Sequence, residues 1–456
     1  MCARGFLQKE GIDYHRTFSP VATSSTIKLL LSIAAQRGLA LKSADISTAF
    51  LYGDLPDDER VYMSPPPGIK ARPDQVMCLQ KCIYGLKQAS RRWFEQLKKI
   101  LTAAGYRPTN ADPCLYSKQT VTEYTLISVV VDDLLIASNS DANADAVITA
   151  LRKAGLKTKD LGFPKYTIGI HIDRAENGDI ALSQKLYLQT ILDRFDMTEC
   201  TPAPTPADPN VKLGSTYFPT TLKAQRDMQS RPYRSLVGAL LYMVLTRPDI
   251  AVAVNECCRY LASPGVAMWT AAKRILRYLK GTIDYSLNLK TKSNKTGSNT
   301  SCYVDSSHAD DRDSRRSRCG WLLYHNDNLV GWKTTLQKRV ALSTAEAEYR
   351  AATLAGKEIL WLRQLLSELG QPQTTPTPVY EDNRACILMV ENPIVSCRNK
   401  HVEIDAHFIR DLFRRGAVNL IPISTEQQRA DIMTKNLPGP LFKMHRSTLM
   451  HKGMPS

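Results

Sequence analysis

The stretch Ser128-Val129-Val130-Val131-Asp132-Asp133-Leu134-Leu135-Ile136-Ala137 sets two adjacent acids between two apolar runs. Both runs read as β-strands, which places Asp132 and Asp133 at a hairpin turn on a buried sheet. A carboxylate pair there repels itself and is costly to desolvate. A bound divalent cation removes both penalties. The pair also reads as a water-exposed turn, because Asp is a common turn residue.

Upstream of this hairpin, Thr26 to Arg37 carries a helical stripe of Ile27, Leu30, Leu31, Ala34 and Ala35, closed by Gly38. A short apolar segment follows and ends at Asp45. Alone, Asp45 reads as a helix cap or turn acid. Beside the Asp132-Asp133 hairpin it supplies a third carboxylate. Three acids suffice for two metal ions about 4 Å apart, which activate a 3′-hydroxyl and steady a leaving pyrophosphate.

The 456 residues are enough for two or three domains, each with its own core. Composition is that of a globular protein, 43% hydrophobic and 23% charged. No apolar run approaches a membrane-spanning length, and no signal-peptide pattern opens the chain. Sixty Lys and Arg against 44 Asp and Glu leave a formal charge of +16, which favours a polyanionic partner, nucleic acid first. Eleven cysteines, an odd number, suggest reduced intracellular thiols. Cys78 and Cys82 have the spacing of half a zinc site, but no second pair follows nearby, so they read as ordinary cysteines.

Residues 1–200 alternate helical and strand patterns. A Pro-rich spacer begins at Thr201-Pro202-Ala203-Pro204-Thr205-Pro206 and runs through 201–230. Residues 231–290 read as helices (Tyr233 to Leu245, Ile250 to Leu261, Thr270 to Leu279), and a polar linker from Thr291 to Ser301 precedes a second α/β unit over 302–440. That unit has four acids of its own. Asp305 ends the strand Cys302 to Asp305, and Asp382 ends the strand Val379 to Glu381. On the helix Thr344 to Leu369, Glu348 shares an apolar stripe with Ala351, Ala352, Ala355, Ile359 and Leu362. Glu346 falls with Arg350, Thr353 and Lys357 on the face expected to be solvated. Ser424 with Gln427 reads as a capping box that opens a helix carrying Asp431. Each acid alone also reads as a cap or a surface acid.

The ordered segments Gln8 to Tyr14, Thr17 to Val21, Asp45 to Gly53, Val61 to Met63, Tyr84 to Ser90 and the Asp132-Asp133 hairpin, continuing through Tyr166 to Ile172, Leu182 to Gln184, Leu236 to Asn255 and Arg274 to Thr282, resemble the reverse transcriptase region of copia-type retrotransposon polyproteins. Ser343 to Tyr349, Glu381 to Asn383, Lys400 to Asp405 and Ala430 to Lys435 resemble the ribonuclease H domain of the same family. The resemblance implies a multidomain α/β and α+β protein: right-hand polymerase fingers and palm in 1–200, a helical thumb or connection in 231–290, and a ribonuclease H-like domain in 302–440.

By that resemblance, Asp45, Asp132 and Asp133 are the catalytic, metal-binding acids of an RNA-directed DNA polymerase. Asp305, Glu348, Asp382 and Asp431 are those of a ribonuclease H. Both centres would use pairs of Mg2+ ions. Phe50 would exclude a ribose 2′-hydroxyl, although it also reads as a core aromatic, and Gln88 would contact the incoming nucleotide. Tyr166 to Ile172 would lie near the primer end or form a sheet strand. His401 or His407 would aid product release, or are surface histidines. Arg410, Arg414 and Arg415 would track phosphates, or form a solvated face. The implied partners are an RNA template, a DNA primer, RNA–DNA hybrid and deoxynucleoside triphosphates, in the cytoplasm or nucleus.

The sequence departs from the family at Val130, where a Tyr is usual, and at His308, where a Trp is usual. The family's basic upstream fingers strand, integrase and protease are not in the sequence, so a truncated polymerase is expected. The alternatives are a nuclease-only protein and an inactive relic that binds hybrid.

Overall fold

The computed structural model describes residues 2–66, 68–69, 72, 74–292, 300–392 and 408–453. Contacts divide the chain into two compact units, one of residues 1–168 with 368–370, the other of residues 169–367 and 371–456.

In the first unit, α1 (Ser24–Arg37) starts where the Thr23 hydroxyl accepts from Thr26 N at 3.1 Å, and it ends at Gly38, whose φ of 63° only glycine adopts cheaply. Then come β1 (Ala40–Ile46), the small antiparallel pair β2 (Val61–Met63) and β3 (Met77–Leu79), and α2 (Ala89–Ala103). They are followed by β4 (Arg107–Pro108), β5 (Leu115–Gln119), β6 (Tyr124–Val130), β7 (Asp133–Ser138), α3 (Asp141–Lys153) and β8 (Thr158–Gly162). Six strands make one sheet in the order β4-β5-β6-β7-β1-β8.

Alternation along these strands sorts the faces. Ala44, Ile46, Ile127, Val129, Leu134 and Ile136 form a core with Trp93, Leu97 and Leu101 of α2 and Val147, Ile148 and Leu151 of α3. The opposite side chains, Leu41, Leu126, Leu135 and Ala137, are also buried, and α1 packs on β6 and β7. Asp45 and Asp133 belong to that opposite set by parity.

Strand β9 (Tyr166–Thr167) also belongs to the first unit, and the second opens with β10 (Ile170–Arg174), β11 (Ile180–Ser183) and α4 (Lys185–Arg194). The segment Tyr166 to Ile172 is thus two strand pieces broken by a turn at Ile168 and Gly169. Residues 201–230 are not spacer throughout, because they hold α5 (Leu222–Gln229). Helices α6 (Tyr233–Met243), α7 (Ala251–Cys258) and α8 (Val266–Gly281) pack on one another through buried Leu236, Leu240, Val254, Ile275 and Leu279. Strand β12 (Tyr285–Leu289) joins β11.

The remaining elements are β13 (Thr300–Ser307), β14 (Arg318–His325), β15 (Asn328–Leu336), α9 (Thr344–Glu368), β16 (Thr377–Glu381), α10 (Arg384–Glu391), α11 (Phe408–Arg414), β17 (Val418–Pro422), α12 (Gly439–Leu449) and β18 (His451–Lys452). The sheet of this region runs β15-β14-β13-β16-β17, with β13, β14 and β15 antiparallel and β16 and β17 added in parallel. The long helix α9 links β15 to β16, the crossover that joining two strands of the same direction requires.

Candidate active sites

Strands β6 and β7 pair down to Val130 opposite Asp133, so the hairpin turn is Val131-Asp132 and Asp133 is already the first strand residue. The turn has φ of 59° at Val131, the sense that a two-residue hairpin needs at its first central position. A β-branched residue there is strained by roughly 1–3 kcal/mol. Two bonds hold it: Trp93 Nε1 donates to Val131 O at 2.6 Å, and Ile46 N donates to Asp132 O at 3.0 Å. On the neighbouring strand, Asp45 stands in register with Asp133, so all three acids gather at one end of β1 and β7. Burial, then Asp132, then Asp45 raise the Asp133 carboxyl above its ordinary range. Lys159 Nζ lies 4.0 Å from Asp45.

Phe50 sits on the turn just past β1, half-buried, with Tyr84 edge-on to it at 5.0 Å between ring centres. Gln88 is fully buried. Its amide donates to Asp13 O at 2.9 Å and accepts from Gln8 Nε2 at 3.1 Å, so both ends are engaged within the protein.

In the second unit, Asp305 lies inside β13, two residues before the strand ends, while Glu348 lies on the second turn of α9 and Asp382 directly follows β16. One carboxylate oxygen from each of the three lies within 4.8 Å of the other two. Asp305 and Glu348 are buried, and Glu348 Oε2 has no hydrogen-bond partner among the described residues. An orphaned buried carboxylate oxygen facing two further acids has the chemistry of a divalent-cation donor set.

Burial pushes Asp305 up to about 6, opposed by Lys435 and reinforced by Asp431. Glu348 is raised well above the usual glutamate range by burial, then by Asp305, Glu381 and Asp382. Asp431 comes from a 3-10 turn (Arg429–Met433), and its carboxylate pairs with Lys435 Nζ at 2.6 Å.

Several sequence expectations are corrected here. Glu346 is buried rather than solvated: it accepts from Leu342 N at 2.8 Å and pairs with Arg350 at 2.6 Å, as an acid capping its own helix start. No Ser424–Gln427 capping box forms. Ser424 makes no side-chain cap, and Gln428 caps the turn that carries Asp431. Arg410 is buried with its guanidinium on Met389 O, while Arg415 pairs with Asp411. His401, His407 and the segment Lys400 to Asp405 lie outside the described residues.

The sequence reading missed Glu381, fully buried and raised well above its usual range by burial, and the cation Lys435. Their signals were adjacency to Asp382 and a four-residue step from Asp431.

Residues 1–209 match the family model described as reverse transcriptase (RNA-dependent DNA polymerase). A Pol polyprotein of transposon TNT 1-94 from Nicotiana tabacum is 37% identical over 97% of this chain and 33% of its own length. A transposon Ty5-1 protein of Saccharomyces cerevisiae is 34% identical over 69% of this chain and all of its own length. The chain belongs to the copia-type retrotransposon reverse transcriptase family. It spans about a third of the tobacco polyprotein it matches. A foamy viral protease-reverse transcriptase solved with double-stranded DNA is a distant likeness, 11% identical, with a TM-score of 0.48 over 86% of this chain and 59% of that one.

Proposed function

We propose that this member of the family is an RNA-directed DNA polymerase joined to a ribonuclease H, copying element RNA into DNA with deoxynucleoside triphosphates and a DNA primer. The observation that carries the reading is two carboxylate centres, one in each compact unit, Asp45–Asp132–Asp133 and Asp305–Glu348–Asp382, with Asp431 joined to Asp305 through Lys435. At the first, Asp45 and Asp133 on neighbouring strands and Asp132 on the turn would hold the metal. Phe50 bars the 2′-hydroxyl of a ribonucleotide. At the second, Asp305, Glu348 and Asp382 would hold the metal that cuts the RNA strand of a hybrid. Magnesium, when bound, would activate the attacking oxygen and stabilise the leaving one. The surplus of 16 positive charges favours the phosphate backbone. No helix among the described residues is long and apolar enough to cross a membrane, and we place the chain in the cytoplasm or nucleus, where its thiols stay reduced.

A second reading, nuclease alone, draws support from one contrast. Among the described residues, the tight metal-ligating acid group is the one at Asp305, Glu348 and Asp382. One experiment separates the readings: purified protein with magnesium, deoxynucleotides and a DNA-primed, end-labelled RNA template. Primer extension with RNA loss supports the first reading, RNA loss without extension supports the second, and neither product refutes both.

A further inference from the structure

The four nuclease acids are not equally available. Asp431 stands outside the group formed by Asp305, Glu348 and Asp382, and its Oδ1 accepts from Lys435 Nζ at 2.6 Å. The same ammonium lies 3.4 Å from Asp305 Oδ1, and the other Asp305 oxygen takes the Thr434 hydroxyl. Local backbone sets this up. After the 3-10 turn, Thr434 N and Lys435 N both donate to Asp431 O, at 3.1 and 2.9 Å, so the lysine folds back over the acid four residues before it. The two carboxylates are almost fully buried, while the Lys435 side chain keeps 37% of its surface in water.

We propose that Lys435 is a resident cation, occupying the place between Asp305 and Asp431 that a second divalent ion would need, so that the nuclease centre takes one divalent ion, at Asp305, Glu348 and Asp382. Magnesium or manganese shared by Asp305 and Asp431 needs oxygens at about 2.0–2.2 Å, and an ammonium bonded to the same oxygens fills that space. Lys435 therefore acts as a positioning residue: it neutralises and orients Asp305 and Asp431 without touching the scissile bond. The inference rests on the nuclease reading above.

The test is manganese titration of metal-stripped full chain carrying Asp132→Asn, followed by calorimetry and electron paramagnetic resonance. The nuclease centre's share is the number of ions lost when Asp305→Asn is added. One ion is expected with Lys435 in place. Lys435→Met should admit a second ion and tighten the first by roughly tenfold or more, because a nearby positive charge is gone. Lys435→Arg, which keeps the charge, should still bind one. Two ions bound with Lys435 present would overturn the proposal whatever any variant does. A Lys435→Met chain that matches its parent in circular dichroism and Tm but still binds one ion would overturn it as well. If Asp305→Asn changes no manganese binding, the metal-nuclease reading itself has failed, an outcome distinct from a wrong count.

Discussion

Replacing Glu348 by Gln should make the metal-free protein more stable while abolishing hybrid cleavage. Glu348 is buried, its Oε2 has no partner among the described residues, and one of its oxygens lies within 4.8 Å of an oxygen of Asp305 and of Asp382. At an effective dielectric constant near 20, like charges ~5 Å apart cost roughly 3 kcal/mol per pair. Proton uptake relieves part of this, since the Glu348 carboxyl is raised well above its ordinary 4.5. A gain of about 1–3 kcal/mol at pH 8 is therefore expected for Glu348→Gln, or ~2–10 °C in the Tm of the transition that contains this unit.

The sign follows from linkage. In the raised-pKa range the native state holds a proton that the unfolded chain has already lost, so stability falls as pH climbs from the unfolded value through the native one. The variant escapes that fall, and its advantage should vanish near pH 4, where Glu348 is protonated in both states. Thermal unfolding in EDTA from pH 4 to 8 measures it. Magnesium should reverse the ranking, because only the unaltered chain keeps all three ligands. A Glu348→Gln chain that is less stable than its parent in EDTA at pH 8 would refute the reasoning.

Asp132→Asn should abolish primer extension and leave hybrid cleavage nearly intact, read on the same gel; equal loss of both would undo the assignment of two centres. Glu346→Gln should lower stability by about 1 kcal/mol, through the lost Arg350 pair at the start of α9, while leaving cleavage at saturating magnesium within a few-fold of the parent. Phe50→Ala should raise ribonucleotide incorporation relative to deoxynucleotide by roughly tenfold or more in single-nucleotide extension assays; unchanged discrimination would make Phe50 a packing residue only.

How much of this was legible in the chain follows from the range of the interactions. Composition, the 3.6-residue stripe closed by Gly38, and apolar runs flanking Asp132-Asp133 are local signals, and they placed α1, β6 and β7 within a few residues. The ordered motifs carried the family and the seven acids. Helical spacing correctly buried Glu348, yet it misjudged Glu346, because an acid in the first turn folds back onto its own helix start whichever face it occupies.

The sequence by itself determined the candidate acids and the periodicities that build their elements, since both are written within a turn or a strand. Tertiary structure alone decided which acids meet. Register set Asp45 against Asp133, and a parallel crossover of some forty residues carried Asp382 to Asp305 and Glu348. It also laid Lys435 across Asp305 and Asp431. Such convergence depends on sheet order and burial, long-range properties that no window of local sequence contains.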